Sequence, residues 1–364
     1  MLKNVKVGIV GASASGGWAK DSHVPAVRAL EGLELTAVAT ANLASAKAAA
    51  AAFGARDAYG DALELCRDPD VDVVSVCVKV PAHREIVLAA AAAGKDVFCE
   101  WPLGRDLAET KELATALDAA GVRLAIGLQA RANPAALRAR ELVVSGEIGR
   151  VLSVNVFSTT AGFGQSIPKA MIYGEDPANG VNLLTVQGAH TFDLAIAVAG
   201  DLESLSALLT TQYPTIIVED DATRRDRVTA DQVSFLGRLD GGGALAVDVV
   251  GGRPLNATPF RLDVVGERGT LTLTGGAPRG FQSGVLALTV DGEARSVDDG
   301  ELGGLPEAAV NVAGLYAMLR DDMLHGTSTA PDATHAVRLW QMIEDVVRSS
   351  GSGDRLASTD WPRA

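Results

Sequence analysis

Val5-Lys6-Val7-Gly8-Ile9-Val10-Gly11-Ala12-Ser13-Ala14-Ser15-Gly16-Gly17-Trp18 is the stretch whose reading decides the fold. Val7–Gly11 reads as a buried strand running into a glycine turn. A helix opening after such a turn aims free backbone N–H groups at an anion, which is what a pyrophosphate requires. The usual G-x-G-x-x-G is altered, because Ser13 stands at the middle glycine. Ala14 and Ser15 remain small, and the hydroxyls of Ser13 and Ser15 can donate to phosphate. Trp18 either covers this loop or packs beneath it.

Working outward, short β-branched runs alternate with alanine-rich helical runs. Strands are expected at Val5–Val10, Leu33–Thr40, Val71–Val78, Asp96–Glu100 and Arg123–Gly127. Helices are expected at Val24–Glu31, Ala44–Phe53, His83–Ala93 and Leu107–Ala120. Strands without polar alternation, each followed by a helix, indicate a parallel sheet covered on both faces. Residues 1–127 therefore read as a doubly wound Rossmann domain that binds a dinucleotide.

After residue 127 the texture changes. A helix is expected at Pro134–Ser145, an edge or half-buried strand at Val151–Ser158, and another helix within Val181–Val198. Period-two strands then dominate: Leu205–Thr211, Gln232–Leu239, Ala244–Val250, Phe260–Val265, Thr270–Thr274 and Val285–Val290. Turn clusters such as Asp240-Gly241-Gly242-Gly243 separate them. Residues 128–364 thus read as an α/β domain with a large, mostly antiparallel open sheet, for substrate binding and oligomerisation. The amphipathic runs Val310–Leu324 and Ala333–Ser349 are expected to cover one face of that sheet, and the polar stretch Glu219–Asp231 to be an exposed loop.

With 364 residues, 48% hydrophobic and 21% charged, the chain has material for two globular cores. Its net charge of −13 argues against nucleic acid or an anionic membrane as partner. No cationic segment precedes an apolar run, and the apolar runs are too short to span a bilayer. Cys66, Cys77 and Cys99 are odd in number and widely spaced, which excludes a disulfide framework or a zinc site. A cytoplasmic protein without a metal is expected.

The second strand normally ends in an acid that holds the adenosine ribose. Val38-Ala39-Thr40-Ala41-Asn42 supplies none, and no arginine adjoins Thr40 to clamp a 2′-phosphate, so NAD and NADP both remain open. Val78 and Lys79 lie at the carboxyl edge of the sheet, where open α/β folds bind ligands. Lys79 either reaches the cofactor or substrate or is a solvated loop residue.

From Val73 onward the chain resembles the Gfo/Idh/MocA family. The residues that carry the likeness are Pro81-Ala82-His83, Ala93-Gly94-Lys95, Glu100-Trp101-Pro102, Ser145-Gly146-Glu147-Ile148-Gly149 and Gly188-Ala189-His190-Thr191-Phe192-Asp193. The resemblance implies NAD(P)-dependent oxidation or reduction of sugars and polyols. It also implies a homo-dimer or homo-tetramer formed through the C-terminal sheet. Two positions depart from the pattern. Family dehydrogenases carry Glu-Lys-Pro where Trp101 stands here, and an Asp where Val186 stands, four residues before the histidine. Gly17-Trp18-Ala19-Lys20, Gln129 with Arg131, and Asn179-Gly180-Val181-Asn182 resemble a narrower branch that includes the fungal galactose-regulon repressor.

The resemblance implies a cofactor set of Gly11, Ser13, Ala14, Ser15, Trp18, Thr40, Val78, Lys79, His83, Glu100, Trp101 and Gln129. Trp101, Arg131, Lys169, Tyr173, Asn182, Gln187 and His190 would face a small carbohydrate-like substrate. His190 and Lys169 are the catalytic candidates. His190 is either the general base for hydroxyl deprotonation or a residue that only orients substrate. Lys169 and Tyr173 either replace the missing lysine or bind sugar hydroxyls. Trp101 either stacks on a ring or plugs the empty lysine position. Glu100 positions the cofactor, His83 starts a helix lining its pocket, and His23 is a structural position. Three functions remain: a net NAD(P)-dependent oxidoreductase, an NAD-dependent glycosidase with transient oxidation and no net redox change, and a non-catalytic dinucleotide sensor resembling the repressor.

Overall fold

A computed structural model describes residues 4–253 and 259–358. The chain divides into two compact units, Met1–Gln129 with Asp299–Val337, and Ala130–Asp298 with Arg338–Arg363. In the first, β1 (Val5–Val10), β2 (Leu33–Ala39), β3 (Asp57–Tyr59), β4 (Val73–Val76), β5 (Asp96–Glu100) and β6 (Leu124–Gly127) form a six-stranded sheet. Its order is β3-β2-β1-β4-β5-β6 and every pair is parallel. The intervening helices are α1 (Val24–Ala29), α2 (Leu43–Phe53), α3 (Ala62–Cys66), α4 (His83–Ala92) and α5 (Leu107–Ala120). The order reverses between β1 and β4, the switch point at which such sheets bind dinucleotides. Polar residues that accept a first-turn amide start three of the helices, Asn42 for α2, Asp61 for α3 and Asp106 for α5.

The second unit holds α6 (Pro134–Val144), β7 (Val151–Thr159), β8 (Ser166–Ile167), α7 (Ala189–Ala199) and β9 (Leu202–Thr210). It continues with β10 (Thr215–Val218), β11 (Arg224–Asp226), β12 (Gln232–Leu239), β13 (Ala244–Val250), β14 (Phe260–Gly266), β15 (Thr270–Gly275), β16 (Leu286–Val290) and β17 (Glu293–Arg295). Beyond these come α8 (Glu307–His325), α9 (Ala333–Ser352) and β18 (Leu356–Ala357). Nine strands form one open sheet, β17-β16-β15-β14-β7-β13-β12-β9-β18, with β7–β13 its single parallel pair among the described residues.

The register of that sheet sorts its side chains. Val154, Val156, Val233, Phe235, Leu245, Val247, Val249, Leu262 and Val264 are buried, while Phe157, Leu208 and Leu236 on the alternate positions stay exposed. Helices α6 and α7 lie against the sheet, and Phe192 of α7 meets Phe235 edge to face at 4.6 Å.

Two expectations change. Helix α8 does not cover the large sheet; it belongs to the first unit, packed on α1 and β6. An amphipathic pattern states that one face is buried but not against what. Residues Glu219–Asp231 are not simply an exposed loop. Arg224–Asp226 pairs with β10, which pairs in parallel with β8, and Arg227, Thr229 and Asp231 are buried. The stretch from Asp57 to Cys66, which carries no clear period, forms β3 and α3. Among the described residues no helix is long and apolar enough to cross a membrane.

Because Phe192 is fully buried against Phe235, Phe192→Ala is expected to lower the unfolding free energy of the second unit by about 3–5 kcal/mol, through lost burial and the cavity left behind. Urea unfolding followed by near-ultraviolet circular dichroism checks this; a loss below about 1 kcal/mol would mean the site collapses to fill the space.

Candidate functional site

In the first unit, Gly11 closes β1 with φ +97°. A Cβ there would sit 2.5 Å from the carbonyl oxygen of Cys77, so only glycine lets the ends of β1 and β4 approach this closely. Past Gly11 the loop is self-bonded. Ser13 and Ser15 share a hydrogen bond of 2.8 Å between hydroxyls, and Lys20 Nζ donates to the Ala14 carbonyl at 3.0 Å. Trp18 is half-buried where the following helical turn begins, and its Nε1–H is a buried donor with no partner.

Beside this loop lies a cleft of about 510 Å³. Gly11 and Ser13 line one side, Thr40, Ala41 and Ser45 the end of β2 and start of α2, and Asp61 and Val78 the neighbouring loops. Thr40 Oγ1 bonds Ser45 Oγ at 2.6 Å and donates to the Asn42 carbonyl at 3.0 Å, so hydroxyls stand where an acid is usual. Asp61 is the charged side chain of the lining, and Oδ1 also accepts from Leu63 N at 2.9 Å. A glycine-only approach, small loop residues, a cleft at the switch point and an unspent indole donor fit a dinucleotide.

The other half of the sheet carries the remaining residues of the expected cofactor set. Glu100 ends β5, and Trp101 beyond it is buried. His83 starts α4 as expected but is fully buried, between the carbonyls of Val78 (3.0 Å) and Pro102 (2.9 Å). Burial pulls its imidazole below the usual histidine range, so the neutral ring donates to one carbonyl only. It braces the ends of β4 and β5 and is not part of the cleft lining. Lys79 is exposed, and Gln129 is buried with Oε1 unbonded.

In the second unit, His190 is the second residue of α7 and is buried. Gln187, three residues before it, donates to Ser158 Oγ at 2.8 Å. Asp193, three residues after it and on the same helix face, accepts from Arg131 Nε at 3.1 Å with both partners largely buried. Asn182 is a local cap, exchanging hydrogen bonds with Thr185 at 2.9 and 3.0 Å. Lys169 is exposed at the start of a 3-10 turn, Lys169–Glu175, with its amide on Asp220 Oδ1 at 2.9 Å. Burial pushes the Tyr173 phenol above its usual value, which makes it a donor and not a base at neutral pH.

Two groups of this region lie outside the expected site. Asp193 follows His190 by one turn, and in the sequence it stands out only as the end of Gly188-Ala189-His190-Thr191-Phe192-Asp193. Arg227 lay in the supposed loop. It makes a two-pronged bond to Glu175 (3.0 and 2.8 Å), faces Asp231 at 3.4 Å, and donates to the carbonyls of Phe163 and Gly164 at 2.8 Å. The i,i+4 spacing of Arg227 and Asp231 was the available signal.

Residues 5–128 match the model of the oxidoreductase family with an NAD-binding Rossmann fold, and residues 134–275 match the model of the Gal80p C-terminal domain. The chain belongs to the Gfo/Idh/MocA family, near its Gal80p branch. Dehydrogenase aclE of Aspergillus oryzae is 28% identical over 97% of this chain and 98% of its own length. A super-repressor mutant of Gal80p from Saccharomyces cerevisiae superposes with a TM-score of 0.87 at 24% identity, over 98% of both chains. Levoglucosan dehydrogenase in complex with NADH and L-sorbose gives 0.81 at 20% identity over the whole of both chains. At these identities the two structural likenesses concern the fold alone.

Within this Gfo/Idh/MocA chain, the buried cation Arg227 is bonded to two carboxylates and two backbone carbonyls. Arg227→Met, similar in volume, is expected to destabilise the second unit by about 3–5 kcal/mol, since removing one member of a buried ion network strands the others. Chemical denaturation monitored at Trp340 checks the loss, and a midpoint equal to that of the parent chain would show that the network stabilises nothing.

Proposed function

We propose that the chain is an NAD-dependent oxidoreductase that transfers a hydride at a carbinol carbon of a sugar, polyol or glycoside. The reading is carried by His190: a buried imidazole at the head of α7, next to the Arg131–Asp193 pair, in a chain that also has a glycine-gated dinucleotide cleft. A bound nicotinamide would supply the hydride acceptor. His190 would take the hydroxyl proton, an imidazole nitrogen being a general base. Arg131, its orientation fixed by Asp193, would offer its remaining N–H groups to substrate oxygens. Lys169 is the second acid/base candidate, Tyr173 and Asn182 would donate to hydroxyls, and Trp101 would give an aromatic face to C–H surfaces. Relatives with carbohydrate substrates in their names, levoglucosan dehydrogenase and inositol 2-dehydrogenase, support the substrate class.

NAD suits the cleft better than NADP. Asp61 would repel a 2′-phosphate, and no lysine or arginine belongs to the lining. The exposed Phe157, Leu208 and Leu236 on the open face of the large sheet support a homo-oligomer formed there, since an apolar patch of this kind marks an association surface.

A dinucleotide-dependent regulator without catalysis is the second reading. It is favoured by Trp101, which stands in the place of the family lysine, and by the nearness of the Gal80p branch.

A panel of sugars and polyols incubated with NAD at fixed protein concentration separates these readings. NADH formation is expected, with NADP binding at least tenfold weaker than NAD. His190→Ala is expected to lower kcat by about 10²–10⁴-fold with NAD affinity within twofold. An equal loss of turnover and affinity would remove His190 from the base role. Binding without turnover on any panel member would favour the regulator, and release of an aglycone from aryl glycosides without NADH would point to transient oxidation. For the assembly, Leu208→Asp with Leu236→Asp is expected to shift the sedimentation coefficient to that of a monomer; an unchanged oligomer would place the contact elsewhere.

A further inference from the structure

A chain of four polar side chains runs through the interior of the first unit and ends at Glu100. Ser75 Oγ, on β4, bonds the Tyr316 hydroxyl. Tyr316, on α8, bonds His23 Nδ1 at 2.9 Å, and His23 Nε2 bonds Glu100 Oε1 at 2.9 Å. Ser75 and His23 are fully buried, Tyr316 is 1% exposed, and the Glu100 side chain is 17% exposed. His23 is also wedged edge-on between Phe98 and Tyr316, at ring distances of 5.1 and 5.7 Å.

One polarity satisfies all four groups when Glu100 is ionised and the ring is neutral. Nε2–H donates to the carboxylate, Nδ1 accepts from the Tyr316 hydroxyl, and the Tyr316 oxygen accepts from Ser75. Burial pushes the Tyr316 phenol up, so it stays a donor. Ser75 has no exposure, and its Oγ accepts from the Cys77 thiol at 4.0 Å. Gly127 leaves the carboxylate its space, because a Cβ there would lie 3.0 Å from Oε1. Glu100 Oε2 makes no hydrogen bond to a protein donor among the described residues.

In a sheet of this order the adenosine half of a dinucleotide lies over β1–β3, where the cleft with Thr40 and Asp61 is found, and the other mononucleotide lies over β4–β6. We propose that Ser75, Tyr316 and His23 are positioning residues that hold Glu100 so that Oε2 takes the ribose hydroxyls on the nicotinamide side of the cofactor. The proposal rests on the dinucleotide reading above and adds to it that α8, the late helix of the first unit, sets the cofactor contact of β5.

Binding of NADH and of ADP is compared by fluorescence and calorimetry on the full chain. ADP carries the adenosine and pyrophosphate but lacks the nicotinamide-side ribose. Tyr316→Phe and Ser75→Ala are expected to weaken NADH binding by about three- to tenfold, the worth of one polar contact, with ADP binding within twofold. Both losses should vanish in a Glu100→Gln background. His23→Gln, whose amide can replace Nε2, should keep more NADH affinity than His23→Leu. Should Tyr316→Phe fail to fold, Ser75→Ala, remote from Glu100, carries the test. Equal losses for NADH and ADP, or unchanged NADH binding, overturn the positioning role. A parent chain that binds neither ligand overturns the dinucleotide reading itself, a result seen before any variant is made.

Discussion

Arg227 joins three segments of the second unit through its guanidinium. Glu175 ends the turn that carries Lys169 and Tyr173, and the carbonyls of Phe163 and Gly164 belong to the loop after β7. Asp231, the other carboxylate, accepts the amides of Gln212 and Tyr213 at 2.8 Å each. These segments are irregular and have few ladder hydrogen bonds of their own, so a buried cation supplies the order that a sheet supplies elsewhere. Such a centre gives little stability for its desolvation, and its worth is in specifying one arrangement. The residues nearest the expected substrate chemistry hang from it: Lys169 and Tyr173 on one arm, Asn179 through the Tyr173 carbonyl at 2.7 Å on the next.

The first unit is organised by a different constraint, close approach and not charge. Gly11 brings the ends of β1 and β4 within reach of a shared ligand, and the Ser75–Tyr316–His23–Glu100 chain ties β4, α8, the turn after Trp18 and β5 into one block. The block contains few groups able to change charge: the Cys77 and Cys99 thiols beside it are pushed up by burial and by Glu100, so they stay neutral. The buried links of that block lie where hydrogen bonds are strongest.

What could be read from residue order follows from the range of the signal. Gln232–Leu239 and Ala244–Val250 were legible to the residue because alternation is local and a glycine cluster sits between them. Gly11 was legible because a tight turn after a buried strand has a local cause. The placement of α8 was not, since its face matches either sheet, and His23 with Tyr316 lies 293 positions apart. Nor were β8, β10 and β11, two to four residues each and too short to show a period. Arg227 was hidden for another reason: hydropathy assigns charged runs to solvent, and only three-dimensional pairing reverses that.

Binding and chemistry separate at two positions. Trp101 removes a cation and Val186 removes an anion relative to the family pattern, so together they leave the charge balance unchanged while removing groups that handle protons. The Arg131–Asp193 pair has the same composition, one cation and one anion, joined at 3.1 Å, and its carboxylate lies one helical turn beyond His190 on α7. On the reading proposed above, a dehydrogenase built on this chain would draw its proton acceptor from His190. That places the distinction between an enzyme and a cofactor-dependent regulator on one buried imidazole, and not on the cofactor site that both would share.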